Sequence, residues 1–120
     1  MDGTGTITNC SNYGNVTSEN GSAYGIISSA TTIDKCFNAG KITANQYGAG
    51  ICSSSTYIIN CINSGTIKTT VAGAAGMRSL TGGTCYNDLN IGDIIAGHVG
   101  ARGGAVDGVS RYGFKQLCVY

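Results

Sequence analysis

A chain of 120 residues with a net charge of +1 and only 11% charged residues corresponds to one modest domain. It contains 20 glycines but no proline and no tryptophan. The low charge argues against a charged disordered tail and against nucleic-acid binding, and the missing proline excludes collagen. No membrane span is expected either, because no apolar run approaches the roughly 18 residues that a span requires.

The sequence repeats with a period of about 25 residues when it is aligned on its cysteines. The consensus is I-x-x-C-x-N-x-G-x-I, followed by a polar stretch and then by a glycine with an apolar residue after it, as in Gly25-Ile26 and Gly50-Ile51. In the fourth copy of this alignment, Leu89 takes the place of the motif glycine. The predicted ladder residues are Cys10, Cys36, Cys61 and Cys85; Asn12, Asn38, Asn63 and Asn87; and Gly14, Gly40 and Gly65.

The repeat unit has the composition of short strands. Its apolar residues come in clusters rich in β-branched side chains and bounded by glycine, serine or asparagine, not at helical spacing. Two or three such strands cannot bury their apolar side alone, but stacked identical coils can. The sequence therefore predicts an all-β parallel β-solenoid (β-helix) of about four coils, of either hand, with rungs about 4.8 Å apart.

The predicted solenoid covers residues 1–101, with coils at approximately 6–31, 32–56, 57–80 and 81–101. The pattern decays after about Gly92, so residues 102–120 are predicted to form a terminal cap or an extra strand. The N-terminal residues enter the repeat almost at once, and Met1-Asp2-Gly3 has neither the charged nor the apolar region of a signal peptide.

Stacking suggests a role for each repeated residue. The asparagines are expected at a bend, bonded to backbone groups of their own turn and of the next rung, while the glycines supply a positive φ. The column cysteines are expected to be reduced apolar fillers, because Cβ atoms about 4.8 Å apart exceed the roughly 3.8 Å of a disulfide. Cys52 and Cys118 lie off the column and can pair or stay free.

Residues suited to catalysis or metal binding are scattered. Asp34 is predicted to align with Thr8 and Ile59, which leaves it without an acidic neighbour for glycoside hydrolysis. The single histidine, His98, is remote in register from the cysteines, and no C-x-x-C pair is present. We therefore expect no catalytic, cofactor-binding or metal-binding residues, no cofactor, and no enzymatic activity.

The motif seen at Ile7–Thr17, Ile33–Thr43 and Ile58–Lys68 resembles the GLUG-type repeats of large, adhesin-like bacterial surface proteins. The resemblance covers about residues 6–101. It implies a secreted, wall-associated β-solenoid with no catalytic residues to transfer. The chain departs from the family in its second half-motif, where Tyr24-Gly25-Ile26-Ile27 replaces the more usual double glycine, aliphatic residue and further glycine.

These observations favour a non-catalytic structural or adhesive module of a secreted or cell-surface bacterial protein. Its partner would be a host or cell-surface glycan or protein. One alternative is a self-assembling subunit of an extracellular filament, stacked end to end through the solenoid. Another is a fragment of a carbohydrate-binding or carbohydrate-active β-helix protein.

Overall fold

The computed structural model describes residues 5–77, 84–97 and 116–118, with only the backbone for Cys85 and for residues 116–118. These residues form an all-β structure without helices, in which stacked coils of parallel strands build a β-solenoid. The predicted fold class is therefore confirmed. Three coils are complete, and the described part of a fourth follows them.

Each complete coil has four strands rather than the expected two or three. The first coil comprises β1 (Thr6–Thr8), β2 (Ser11–Asn12), β3 (Val16–Ser18) and β4 (Ala23–Tyr24). The second comprises β5 (Ile27–Asp34), β6 (Phe37–Asn38), β7 (Ile42–Ala44) and β8 (Gly48–Ala49). The third comprises β9 (Cys52–Ile59), β10 (Ile62–Asn63), β11 (Ile67–Thr69) and β12 (Ala74–Ala75). The fourth contributes β13 (Thr84–Tyr86), β14 (Asp88–Asn90) and β15 (Ile94–Ile95), and β16 (Gln116–Cys118) comes last.

Equivalent strands stack into four sheets. Sheet A has the order β1-β5-β9-β13, sheet C the order β15-β11-β7-β3, and sheet D the order β12-β8-β4. Sheet B has the order β16-β14-β10-β6-β2. All these pairs are parallel except β14 with β16, which is antiparallel. Strands β5 and β9 run across the predicted coil limits at 31/32 and 56/57, and β16 is the strand described within the predicted terminal segment 102–120.

The core consists of inward columns of like residues. In sheet A, Ile33 pairs in register with Ile58, and in sheet C, Ile42 pairs with Ile67. All four side chains are fully buried, and burial of one such side chain contributes about 1.5–3 kcal/mol. Because parallel in-register pairing puts each residue over its equivalent, one apolar position per strand suffices to build a continuous core.

The fourth coil has a different register from the predicted one. Cys85 pairs with Ile58, and Asn90 pairs with Asn63, so Asn87 and Cys85 do not belong to the asparagine and cysteine columns. Asp88 occupies the place that Cys61 has in the coil before. The interval between ladder asparagines is thus 26, 25 and then 27 residues.

This correction has a physical reason. Counting from Asn90, the sequence N-x-G-x-I continues through Gly92 and Ile94, and Ile94 pairs with the buried Ile67. The cysteine-based alignment would instead have placed Leu89 at the glycine position and Ile91, which is 45% exposed, in the core. The register of the fourth coil is therefore the one that buries Ile94 and Asn90 in their columns. In that register Cys85 falls at an isoleucine position.

Candidate functional site

A ladder of asparagine side chains runs through the interior behind sheet B. Asn12 Nδ2 donates to Asn38 Oδ1 at 2.8 Å, Asn38 Nδ2 to Asn63 Oδ1 at 2.7 Å, and Asn63 Nδ2 to Asn90 Oδ1 at 2.7 Å. Each Nδ2 also donates to the carbonyl two residues later, for example that of Gly40 at 2.9 Å. The predicted bond within the turn is confirmed, whereas the partner in the next rung is a side-chain amide.

The glycine after each ladder asparagine is required by close contact between coils. An added Cβ at Gly40 would overlap the carbonyl oxygen of Gly14, and one at Gly65 would overlap that of Gly40. The same holds for Gly92 against Gly65, which shows that Gly92, and not Leu89, continues this column. The expectation that Gly14, Gly40 and Gly65 supply a positive φ is wrong, since their φ angles lie outside the left-handed region.

The left-handed conformation occurs instead just before the cysteine column. The residues are Asn9, Lys35, Asn60 and Asn87, with φ between 51° and 56°. Asparagine tolerates this region better than most residues. Asn60 Nδ2 donates to Asp34 Oδ1 at 3.2 Å, and Asn87 Nδ2 donates to Asn60 Oδ1 at 3.3 Å. Asn87 therefore belongs to a second, exposed ladder at a corner of the coil.

The thiols of Cys10, Cys36 and Cys61 form a column in which every sulfur has the same orientation. Each Sγ donates to the carbonyl two residues earlier, at 3.3–3.4 Å, and Cys61 also contacts Ile33 O of the preceding coil at 3.6 Å. Cys36 and Cys61 are buried free thiols as predicted, but Cys10 is exposed. The side chain of Cys36, together with burial, raises the pKa of the Cys61 thiol.

Asp88 ends the cysteine column. It is fully buried, and its Oδ1 accepts a hydrogen bond from the backbone N–H of Cys61 at 2.9 Å. Sequence reasoning missed Asp88, Asn90 and Gly92 because the cysteines served as the reference for alignment. The motif N-x-G-x-I at Asn90 was the signal that identifies them.

The N-terminal end of the solenoid is an open cleft of about 340 Å³. Its lining residues are Ile7, Cys10, Ser11, Asn12, Gly25, Ile26 and Ile27. Ile7 and Asn12 are only partly buried, whereas their equivalents in the second coil, Ile33 and Asn38, are inaccessible to solvent. The cleft is therefore the cross-section of the core where the first coil lacks a neighbour among the described residues.

The outer face of sheet B carries an apolar stripe formed by Phe37, Ile62 and Leu89, which pair in register. Ile62 is 37% exposed, and the strongly exposed Tyr13 packs edge-on against Phe37, with ring centroids 5.8 Å apart. The stripe is a continuous apolar surface along three stacked strands of sheet B.

The described residues bring no group of three or more His, Cys, Asp or Glu side chains together in a way suited to a metal ion. Asp34 lies between Thr8 and Ile59 in register, as predicted. Cys52 is buried, and its Sγ donates to Ser55 Oγ at 3.8 Å. His98 lies outside the described residues, as does the side chain of Cys118.

The same part of the chain contains no helix with the length and apolar character needed to cross a membrane. Comparison with known proteins found no significant match to this chain among protein-family models, curated proteins or solved structures.

Proposed function

We propose that this chain is a non-catalytic structural repeat module of a secreted or cell-surface bacterial protein, and that it adheres through the outer face of sheet B. The observation that carries the structural role is the asparagine ladder. It joins four successive coils through equivalent hydrogen bonds of 2.7–2.8 Å. A module of this kind acts as a rigid spacer, because every coil is held by the coils beside it.

The repeated and the variable positions differ in a way that supports this role. The inward positions keep asparagine and glycine from coil to coil, and isoleucine at all but two positions, Val16 and Cys85. The outward position of sheet B changes from Ser11 to Phe37, Ile62 and Leu89 in the same register. The repeat thus preserves the scaffold and leaves the surface free to vary. The resemblance to GLUG-type repeats supports the proposed location at the bacterial surface.

An insertion tests the structural role. A second copy of residues 32–56, placed directly after residue 56, adds one coil with the same ladder asparagine, glycine and isoleucine. We expect one cooperative unfolding transition with an equal or higher Tm, because the new coil gains a neighbour on both sides. As a control, the same insertion with the asparagine equivalent to Asn38 replaced by leucine should lower the Tm. A poorly cooperative or unfolded product from the unmodified insertion would contradict the proposal.

Removal of the apolar stripe tests the adhesive role. We expect beads coated with the chain to be retained on arrays of host-type glycans or extracellular-matrix proteins. Phe37→Ser combined with Ile62→Ser should reduce retention about tenfold, as loss of roughly 1.4 kcal/mol implies. The matched control is Thr43→Ser with Lys68→Ser on the outer face of sheet C. Equal retention of the two double variants would locate adhesion elsewhere, and no retention of the unmodified chain would refute the adhesive role.

A further inference from the structure

The chain contains ten asparagines, and Asn20 is the one that glycine follows. The amide side chain of an asparagine can be attacked by the backbone nitrogen of the next residue, which closes a five-membered ring. A Cβ on that next residue hinders the approach, and glycine has none. Among the ten positions, Asn20-Gly21 is therefore the one where this reaction is least hindered.

Asn20 lies in the solvent-exposed corner between β3 and β4. Its side chain is exposed, and within the described residues no hydrogen bond holds it. This exposure is a property of the corner and does not come from the first coil's place at the end of the stack. In the second coil, which has a coil on each side, Gln46 and Tyr47 are exposed at the same corner.

The backbone of the corner is ordered, while the bond that the reaction must open is a local one. Ser18 O accepts from Asn45 N–H at 3.0 Å, and Gly21 O accepts from Gln46 N–H at 3.0 Å. Gly21 N–H donates to the side chain of Ser18, with its Oγ at 3.1 Å. The nitrogen that must react is therefore held by one hydroxyl of its own coil, and its release breaks no bond between coils.

The ladder asparagines are held in place by contrast. Asn63 is followed by the small residue Ser64, but its side chain is completely buried. Its Nδ2 donates to Gly65 O at 2.9 Å and to Asn90 Oδ1 at 2.7 Å, and its Oδ1 accepts from Asn38. The side chain of Asn63 cannot turn toward the next backbone nitrogen without breaking these buried bonds, which is costly.

The other exposed asparagines are hindered by the residue that comes next. They are Asn9, Asn15, Asn60 and Asn87, followed by cysteine, valine, cysteine and aspartate. Three of them also have side-chain hydrogen bonds: Asn15 to the N–H of Lys41, and Asn60 and Asn87 in the corner ladder. Exposure, a free amide and a following glycine thus coincide at Asn20.

We infer that Asn20 is a self-modification site, at which the folded chain converts asparagine to aspartate and isoaspartate. Gly21 N loses its proton and bonds to Asn20 Cγ, the Cγ–Nδ2 bond breaks, and ammonia leaves with that proton. Water then opens the ring. Cleavage of the bond from Cγ to the Gly21 nitrogen gives aspartate, and cleavage of the bond from the main-chain carbonyl carbon to it gives isoaspartate.

The modification changes both charge and geometry at the corner. It places a new carboxylate beside the exposed Glu19 and lowers the net charge of +1 by one. Isoaspartate also lengthens the main chain by one atom between Ser18 and Gly21, which are both bonded to the second coil. The inference is independent of the proposed adhesive role.

The test is prolonged incubation of the purified chain in mildly alkaline buffer, with samples separated by ion exchange. Peptide mass spectrometry should locate the mass increase from replacement of NH2 by OH at Asn20, while Asn63 stays unmodified. The rate should rise with pH because Gly21 N must lose a proton. Circular dichroism should show a fully folded chain throughout. Absence of product at Asn20 in the folded chain would overturn the inference.

Two variants separate the contribution of the next residue from that of the fold. Gly21→Ala should slow the reaction at Asn20 by about tenfold or more, which corresponds to roughly 1.4 kcal/mol in the barrier. The added Cβ would lie 3.3 Å from Ser18 Oγ, a side-chain atom that can move, and Gly21 has no left-handed φ, so the fold should be kept. An unchanged rate in this variant would contradict attack by the Gly21 nitrogen.

Ser64→Gly is the matched variant in the ladder, since it places a glycine after the buried Asn63. We expect Asn63 to stay unmodified in the folded variant and to react once the chain is unfolded in urea. Reaction at Asn63 in the folded variant as fast as at Asn20 would show that the next residue alone selects the site, and would overturn the role given to the fold.

Discussion

The first and second coils carry the same motif but differ in their surroundings. Asn38 and Gly40 are enclosed by coils on both sides, whereas Asn12 and Gly14 have a neighbour on one side only among the described residues. Asn38 is completely buried, and Asn12 is partly open to solvent. The same side chain is therefore a core residue in one coil and a rim residue in the other.

The difference shows that in this solenoid a residue's energetic role depends on the coils beside it more than on its type. A buried polar group must keep its hydrogen bonds, while a partly exposed one can exchange them for water. The following predictions therefore compare the inner coils with the first coil by matched substitutions in the asparagine and glycine columns, and then test the cysteine column.

The ladder should give the largest contrast. Asn63→Ala removes bonds to Gly65 O at 2.9 Å and to Asn90 Oδ1 at 2.7 Å, and also the acceptor for Asn38. We expect the free energy of unfolding to fall by about 4 kcal/mol, since each buried group left unpaired costs about 1–3 kcal/mol. Asn12→Ala should cost about 1 kcal/mol because water reaches that site. Urea denaturation at neutral pH measures both, and equal losses would contradict the contrast.

The glycine column should give the next largest effect. Gly65→Ala forces a Cβ against the carbonyl of Gly40, and since a backbone group must move, we expect a loss of about 3 kcal/mol. Gly14→Ala meets only Asn12 Oδ1 at 3.8 Å and should change stability by less than about 1 kcal/mol, in either direction. Thermal unfolding of the two variants side by side checks this, and a strongly destabilised Gly14→Ala chain would show that the first coil is packed differently.

The buried thiol should make stability depend on pH. The pKa of Cys61 in the folded chain is raised above its ordinary value of 9.0, so above that pH the unfolded chain releases a proton that the folded chain retains. Stability should be unaffected by this group below pH 9 and should fall above it by about 1.4 kcal/mol per pH unit. Cys61→Ala should have a shallower decline at alkaline pH. Parallel slopes for the two chains would refute this origin of the pH dependence.

The smallest perturbation is chemical labelling of the thiols. Cys10 is exposed, while Cys36, Cys52 and Cys61 are buried, so a short pulse of iodoacetamide under native conditions should modify Cys10 before these three. Peptide mass spectrometry identifies the modified residue, and a denatured sample provides the control in which all four react at similar rates. Equal native rates for Cys10 and Cys36 would mean that the end of the core is closed.

Much of the candidate site followed from the repeat. The asparagine at the bend, the buried thiols of Cys36 and Cys61, and the position of Asp34 between Thr8 and Ile59 all come from placing like residues over like. The fourth coil did not follow, because its cysteine occupies an isoleucine position and Asp88 occupies the cysteine position. An alignment that relies on one residue type fails where that type changes place.

The sequence by itself determined the architecture. A motif that returns every 25 or so residues, with two inward aliphatic positions in most coils, buries its apolar side only when coils stack in register. Only the tertiary structure decided why Gly40 must be glycine, which asparagines adopt a positive φ, and where the stack is open. The reason is that these properties arise between coils: they depend on which carbonyl, amide or solvent lies beside a residue some 25 positions away in the chain.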